Sequence, residues 1–300
     1  MSDSFSKISL CLLLILFNSV IFASLEDEDK NDKKDDPIKQ GNFSLPGSQQ
    51  PGPLVSFGEH IIAKGKVQLY LQADDFAGKN KHLVDALPGI LYGIADNFSV
   101  FLSFPMAIDF RYGNNHSSGI EDIFLSFEYA YYNTKSKHSV SQGTILGTVF
   151  FPSGIITKEP STGNGAVSFF IGTTFNKTYT EWFFFGSPGA LFPTTNGGTR
   201  IGNEYDYQLG FGRNIKSVPD KYIFAWMVEM DGAYFERDRI NGILNPNSGG
   251  NLVYVTPSIW YSTKKLIFQV GVGGVLTQHW LGNQTPEKYL ITANLGCSLT

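Results

Sequence analysis

Ile123-Phe124-Leu125-Ser126-Phe127-Glu128-Tyr129-Ala130-Tyr131 decides the fold. In an extended chain successive side chains point to opposite faces. Ile123, Leu125, Phe127, Tyr129 and Tyr131 therefore share one apolar face, and Phe124, Ser126, Glu128 and Ala130 share a mixed one. A polar turn (Asn133 to Ser139) follows, then a second alternating run from Thr144 to Phe151. Similar runs recur to the end of the chain. A period of two with large aromatics on one face is the pattern of a barrel whose outside meets lipid.

Working outward from that stretch, alternation predicts about twelve strands. They centre on 66–74, 83–93, 98–110, 119–132, 142–151, 165–174, 180–191, 203–213, 222–235, 250–261, 266–276 and 288–299. The connectors alternate in character. Ala95-Asp96-Asn97, Asn176-Lys177-Thr178 and Ser262-Thr263-Lys264 are short, whereas 152–164, 193–202 and 237–249 are long and rich in Gly, Pro and Asn. Outer-membrane barrels pair short periplasmic turns with long outer loops, and an even strand count leaves both termini on the periplasmic side. Aromatics near strand ends (Tyr70, Tyr92, Tyr129, Trp182, Tyr222) suit the two membrane interfaces. A soluble β-sandwich is the competing fold, but its strands are commonly shorter than these. The reading is an all-β, transmembrane, antiparallel up-and-down barrel.

Composition agrees. Charged residues are only 17% of the 300, below the roughly 25% usual for soluble proteins, while aromatics reach 14%. A net charge of −4 without a basic, aromatic-interleaved patch argues against nucleic acid as a partner. Lys7 followed by an apolar run to Ala23 predicts a secretory signal over 1–24, cleaved near Ala23 or Ser24. Without the signal and its Cys11, Cys297 has no partner for a disulfide. Residues 25–60 open with a run of charge from Glu26 to Asp36 and continue in Pro, Gly, Ser and Gln. Such a composition predicts a disordered acidic leader, with the barrel occupying 61–300.

One segment carries a resemblance. Leu87-Pro88-Gly89-Ile90-Leu91-Tyr92-Gly93-Ile94-Ala95-Asp96-Asn97-Phe98-Ser99, with Ser103-Phe104-Pro105, resembles the outer-membrane family named for the meta-pathway of phenol degradation. Gly119-Ile120-Glu121-Asp122-Ile123 and Phe151-Pro152-Ser153-Gly154 fit the same pattern. About a third of the chain is covered. The resemblance implies a transporter-like barrel that moves apolar or aromatic compounds across the outer membrane of a Gram-negative cell. Glu121 and Ser153 depart from the family's pattern, and the chain ends Cys297-Ser298-Leu299-Thr300 rather than on the aromatic usual for substrates of the barrel assembly machinery, the partner expected to insert it.

No catalytic residue, metal site or cofactor is predicted. The histidines at 60, 82, 116, 138 and 279 show no metal-ligand spacing, and neither a Gly-x-Ser-x-Gly motif nor a P-loop occurs. A lipid hydrolase would rest on His279 alone. The mixed faces say more. Alternation turns Lys66, Gln68, Gln72, Glu128, Glu204, Asp206, Gln208, Glu229, Asp231, Gln269, Thr292 and Asn294 toward the lumen. Those side chains either line a polar conduit for small solutes or pair with Lys66, Arg213 and one another inside a closed interior. The expected function is passive passage of small molecules, with outer-membrane lipid around the barrel. The alternative is a non-conducting surface barrel that acts as an adhesin or scaffold through its long outer loops.

Overall fold

The computed structural model describes residues 37–299 apart from residue 59. The predicted signal and the charged run before residue 37 lie outside the described residues. Eighteen strands are present: β1 Val67–Gly78, β2 Lys81–Ala95, β3 Phe98–Ser103, β4 Met106–Tyr112, β5 Asn115–Ile120, β6 Phe124–Lys135, β7 Ser139–Phe150, β8 Ser168–Tyr179, β9 Trp182–Pro193, β10 Thr195–Asn196, β11 Thr199–Arg200, β12 Glu204–Val218, β13 Tyr222–Phe235, β14 Arg239–Ile240, β15 Ile243–Leu244, β16 Gly250–Thr263, β17 Leu266–Trp280 and β18 Glu287–Ser298.

These make a closed antiparallel barrel of twelve wall positions. The order runs β1-β18-β17-β16-β13-β12-β9-β8-β7-β6-β3-β2, and β1 pairs with both β18 and β2, which closes the ring. β3 and β4 occupy one wall position. They pair with the two halves of β2 and are separated by Phe104 and Pro105, whose ring nitrogen has no hydrogen to donate. β5 and β6 likewise share one position, parted at 121–123. All twelve predicted strands are found. A strand of roughly 9–11 tilted residues crosses the hydrocarbon layer, and most wall strands run to 12 or more.

The outward residues form a continuous apolar belt. Leu69, Leu71, Ile90, Phe127, Ile145, Ile171, Phe184, Ile259, Val272 and Ile291 are all exposed. The short-turn end carries the connectors 96–97, 136–138, 180–181, 219–221 and 264–265, and the opposite end carries 151–167, 194–203, 236–249 and 281–286. Two details of the sequence reading shift. Asn176, Lys177 and Thr178 lie inside β8, and the turn falls at Thr180-Glu181 because the ladder with β9 runs on to Thr178. Tyr70 faces inward, where its hydroxyl donates to Gln68 Oε1 at 2.8 Å.

At the long-loop end β5 pairs with β4, and among the described residues no strand covers its other edge. The connector 151–167 covers that edge instead: the Ser117 hydroxyl donates to Pro160 O at 2.6 Å and the Thr162 hydroxyl to Ile120 O at 2.7 Å. Asp122 anchors the connector by accepting the Gly154 and Asn164 N–H groups at 2.9 and 2.8 Å. The connectors on either side of β12 and β13 also fold together, as the small sheet β10-β11-β14-β15.

Candidate functional site

The lumen is occupied by the chain itself. Residues 25–60 were expected to be a disordered leader, but of the described ones 41–58 and 60–62 run inside the barrel near the short-turn end, with 37–40 and 63–66 at its rim. The interior supplies what the composition of this segment lacks. Leu45 and Leu54 are buried against Phe183, Phe185, Ile223, Ala225, Met227, Trp260 and Ile267 of the inward wall. Full burial of a leucine side chain contributes about 1.5–3 kcal/mol, enough to offset part of the ordering entropy.

Polar contacts then fix the path. The Glu229 carboxyl group is fully buried and accepts from three consecutive N–H groups: Leu54 at 3.0 Å, Val55 at 3.2 Å and Ser56 at 3.4 Å. A run of amides turned toward one acidic group is a small anion-binding concavity, here closed by a wall residue. The Ser56 hydroxyl donates to Asp231 Oδ1 at 2.7 Å, and the Phe57 N–H to Gln208 Oε1 at 3.1 Å. Farther along, the His60 N–H donates to Glu128 Oε2 at 2.9 Å and its ring stacks on Phe101 at 5.6 Å. Gln269 Nε2 donates to Gly52 O at 2.9 Å, and Gln68 Nε2 to Ser298 Oγ at 2.8 Å beside Gln49.

Close approach of the segment also explains two glycines. A Cβ on Gly172 would lie 2.4 Å from the Phe57 ring and one on Gly189 2.7 Å from it. The ring thus seats on a patch of wall without side chains, edge-on to Phe170 at 4.7 Å.

The sequence-predicted residues therefore separate into groups. Glu128, Gln208, Glu229, Asp231 and Gln269 are inward and bind the inserted segment, as does Gln68 through Ser48 O at 3.4 Å. Gln72, Glu204, Asp206 and Asn294 line open space, as Glu128 and Gln208 also do. Thr292 is buried on β18 across from Asp74. Lys66 is exposed at the short-turn rim, before β1 begins, and does not enter the lumen. Nor do Lys66 and Arg213 neutralise the inward carboxylates, since Arg213 instead pairs with the exposed Glu181 at 3.1 Å. His279 stands across from Asn251 near the outer end of β17. His82 and His116, which the sequence leaves scattered, meet on the outside of the barrel: His82 Nε2 lies 2.9 Å from Asp75 and His116 Nε2 2.8 Å from Asp109.

Between the inserted segment and the outer half of the wall is a cavity of about 440 Å³. Phe57, Phe101, Phe124, Phe150, Phe170 and Leu191 give it an apolar side, and Glu204, Asp206, Gln208, Gln72 and Asn294 a polar one. A second, more polar cavity of about 540 Å³ lies among Gly47–Pro53 of the segment, Asp96, Asn133, Lys135 and Gln142. The inward phenylalanines were visible in the alternation, where Phe124 falls on the mixed face, but the sequence does not show that four of them converge.

No family model matches the chain, and no curated protein matches it significantly. Solved structures do. The COG4313 outer membrane channel from Pseudomonas putida F1 superposes with a TM-score of 0.66 at 13% identity, covering 82% of this chain and 100% of that one. The NanC porin aligns with a TM-score of 0.47 at 9% identity, over 77% of this chain and 99% of that one. LpxR from Salmonella typhimurium aligns with a TM-score of 0.43 at 8% identity, over 77% and 99%. The first of these likenesses agrees with an outer-membrane barrel fold.

Proposed function

We propose that this chain is a passive outer-membrane channel for small molecules that carry an apolar or aromatic body. The observation that supports this most is the two-sided cavity above the inserted segment, with phenylalanines on one side and carboxyl and amide groups on the other. An aromatic solute gains burial on the first side, and a hydroxyl or amine on it finds partners on the second. Residues 41–58 and 60–62 take up part of the lumen, so a polar molecule gains little from entry that offsets its lost water. The resemblance to the phenol meta-pathway family and the similar fold of a known channel favour the same reading. Passage of this kind needs no covalent chemistry.

Reconstitution of the mature chain into lipid vesicles tests the reading. Small aromatic solutes should equilibrate faster than in empty vesicles, while sugars of similar size lag well behind. Equal rates for both classes would indicate an open aqueous pore. No transfer of either would favour the surface-scaffold alternative. That alternative draws support from the loop sheet β10-β11-β14-β15, where Ile243 is 75% exposed. Under it, deleting 239–244 should abolish a binding phenotype and leave permeability unchanged.

A further inference from the structure

Charge is divided unevenly between the two ends of the barrel. At the short-turn end Lys64 and Lys66 precede β1, Lys216 and Lys221 flank the β12–β13 turn, and Lys264 and Lys265 form the β16–β17 turn. All six are exposed. The described acids at this end are Asp96, Glu181 and Asp220. Asp220 is taken by Lys39 at 3.2 Å and Lys264 at 3.3 Å, and Glu181 by Arg213. Lys64, Lys66, Lys216, Lys221 and Lys265 have no carboxylate within ion-pair distance among the described residues. The outer end differs in its acids: Arg111 and His116 both reach Asp109 at 2.8 Å, His82 reaches Asp75 and Lys81 reaches Glu287, and its connectors carry Glu121, Asp122, Glu159, Glu236 and Asp238 beside Lys79, Lys158, Arg200, Arg237 and Arg239.

The depth of the lysines is marked by their neighbours. Val67, next to Lys66, pairs with the exposed Tyr92. Lys216 pairs with the outward Phe224 and follows the exposed Ile215. Lys265 precedes the exposed Leu266, and Tyr261 stacks on Tyr222 beside Lys221. Arg213 lies over the Trp182 ring at 5.1 Å. Aromatics on a barrel's outer surface sit at the headgroup level, so these ammonium groups stand in the layer of lipid phosphates just beyond them. Bare, they would repel one another around the rim; anionic headgroups relieve that repulsion.

We propose that this lysine collar is a binding surface for anionic phospholipid headgroups of the leaflet at the short-turn end. The inference rests on the outer-membrane placement of the barrel and not on conduction. The collar joins the lipid-facing belt without a gap, which fits a lipid partner better than a soluble one.

The test uses the mature chain in nanodiscs of phosphatidylcholine alone or mixed with phosphatidylglycerol, with retained lipids read by native mass spectrometry. The wild type should retain phosphatidylglycerol over phosphatidylcholine by roughly fivefold or more, the effect of about one lysine at an anionic surface. The preference should fall with salt and approach unity in a variant with Lys64, Lys66, Lys216, Lys221 and Lys265 changed to Gln. Equal retention of the two lipids by the wild type overturns the proposal, as does an unchanged preference in the variant. If the five-fold variant does not fold, the pairs K64Q/K66Q and K264Q/K265Q and the salt titration decide the matter in the same way. Solute transfer is measured on the same nanodisc-competent protein in vesicles, so failure of the channel reading is seen separately.

Discussion

The wall and the segment it encloses are held in place by different means. Apart from β5, the wall strands are fixed by two main-chain ladders, so register depends on many bonds and little on any one side chain. The inserted segment has no ladder. The N–H groups of Leu54, Val55, Ser56, Phe57 and His60 end on side chains of the wall: Glu229, Gln208 and Glu128. The wall should therefore tolerate inward substitutions, and the segment should respond sharply to a few. A barrel built this way can change the state of its lumen without unfolding.

Glu229→Leu should break the comparison most visibly. It removes the acceptor shared by Leu54, Val55 and Ser56. A buried donor left unsatisfied costs about 1–3 kcal/mol, and three are affected. The segment should leave the wall, becoming cleavable by added protease, and conductance in a planar bilayer should rise clearly. The barrel itself should keep its resistance to unfolding in detergent. A variant with wild-type conductance and a protected segment would show that the buried leucines and the contacts to Asp231, Gln208, Glu128 and Gln269 hold the segment without Glu229.

Leu71→Arg probes the other side of the same wall. Leu71 is outward and 45% exposed, midway along β1, and an arginine facing lipid near mid-membrane costs about 2–4 kcal/mol. The neighbouring Gln72→Arg puts the same charge on the lumenal face, where Gln72 now donates to Asp74 at 2.9 Å, and should cost less. Folding midpoints in lipid vesicles compare the two, and equal losses would contradict the assignment of faces.

How much of this was legible follows from the same contrast. Alternation such as 123–131 is a local signal, readable wherever one face meets lipid and the other does not. All twelve wall strands were found that way, whereas of the inward carboxyl groups Asp74 and Asp85 were not singled out. The inserted segment has no period, and its partners lie far along the chain, with Leu54 and Glu229 separated by 175 positions. The composition of 37–60 argued for disorder because composition does not register a concave, hydrogen-bonding interior. Two signals were nonetheless present. Phe43, Leu45, Leu54, Val55 and Phe57 fall after the charged run has ended, and the inward carboxylates have few inward cations to answer them. Lys66 was misplaced for a simpler reason: β1 begins one residue later, at Val67, and alternation has no meaning beyond a strand's end.

A third region, the uncovered edge of β5, lies between these extremes, since side chains rather than a ladder cover it. Asp122→Ala removes the acceptor for Gly154 and Asn164. At about 0.5–1.5 kcal/mol for each bond, the loss should loosen the 151–167 connector while the inserted segment stays in place. Faster hydrogen exchange confined to that connector is the expected result. If aromatic solutes enter past this edge, their transfer should rise as well, without a change in ion conductance. Exchange spreading into β6 and β7 would mean that Asp122 supports the wall.

The smallest effect is expected where the segment enters the barrel. Asp220 lies in the β12–β13 turn, and the Lys39 and Lys264 ammonium groups hold its carboxyl below the usual range for an aspartate. A lowered value means that the contact is fully present above the ordinary aspartate pKa of about 3.9. It weakens as pH falls through the lower value in the folded protein. Both lysines are well exposed, and exposed ion pairs contribute little, so Asp220→Asn should leave the unfolding midpoint nearly unchanged. The Asp220 N–H donates to Ser44 O at 2.8 Å, and this main-chain bond survives the substitution. The difference should therefore be confined to the segment's entry, present at neutral pH and lost in acid. Protease access near Lys39 should increase for the wild type as pH drops below about 4, and in the variant it should already be raised at neutral pH and flat across that window. A wild-type profile that is equally flat would remove Asp220 from the set of contacts that retain the segment.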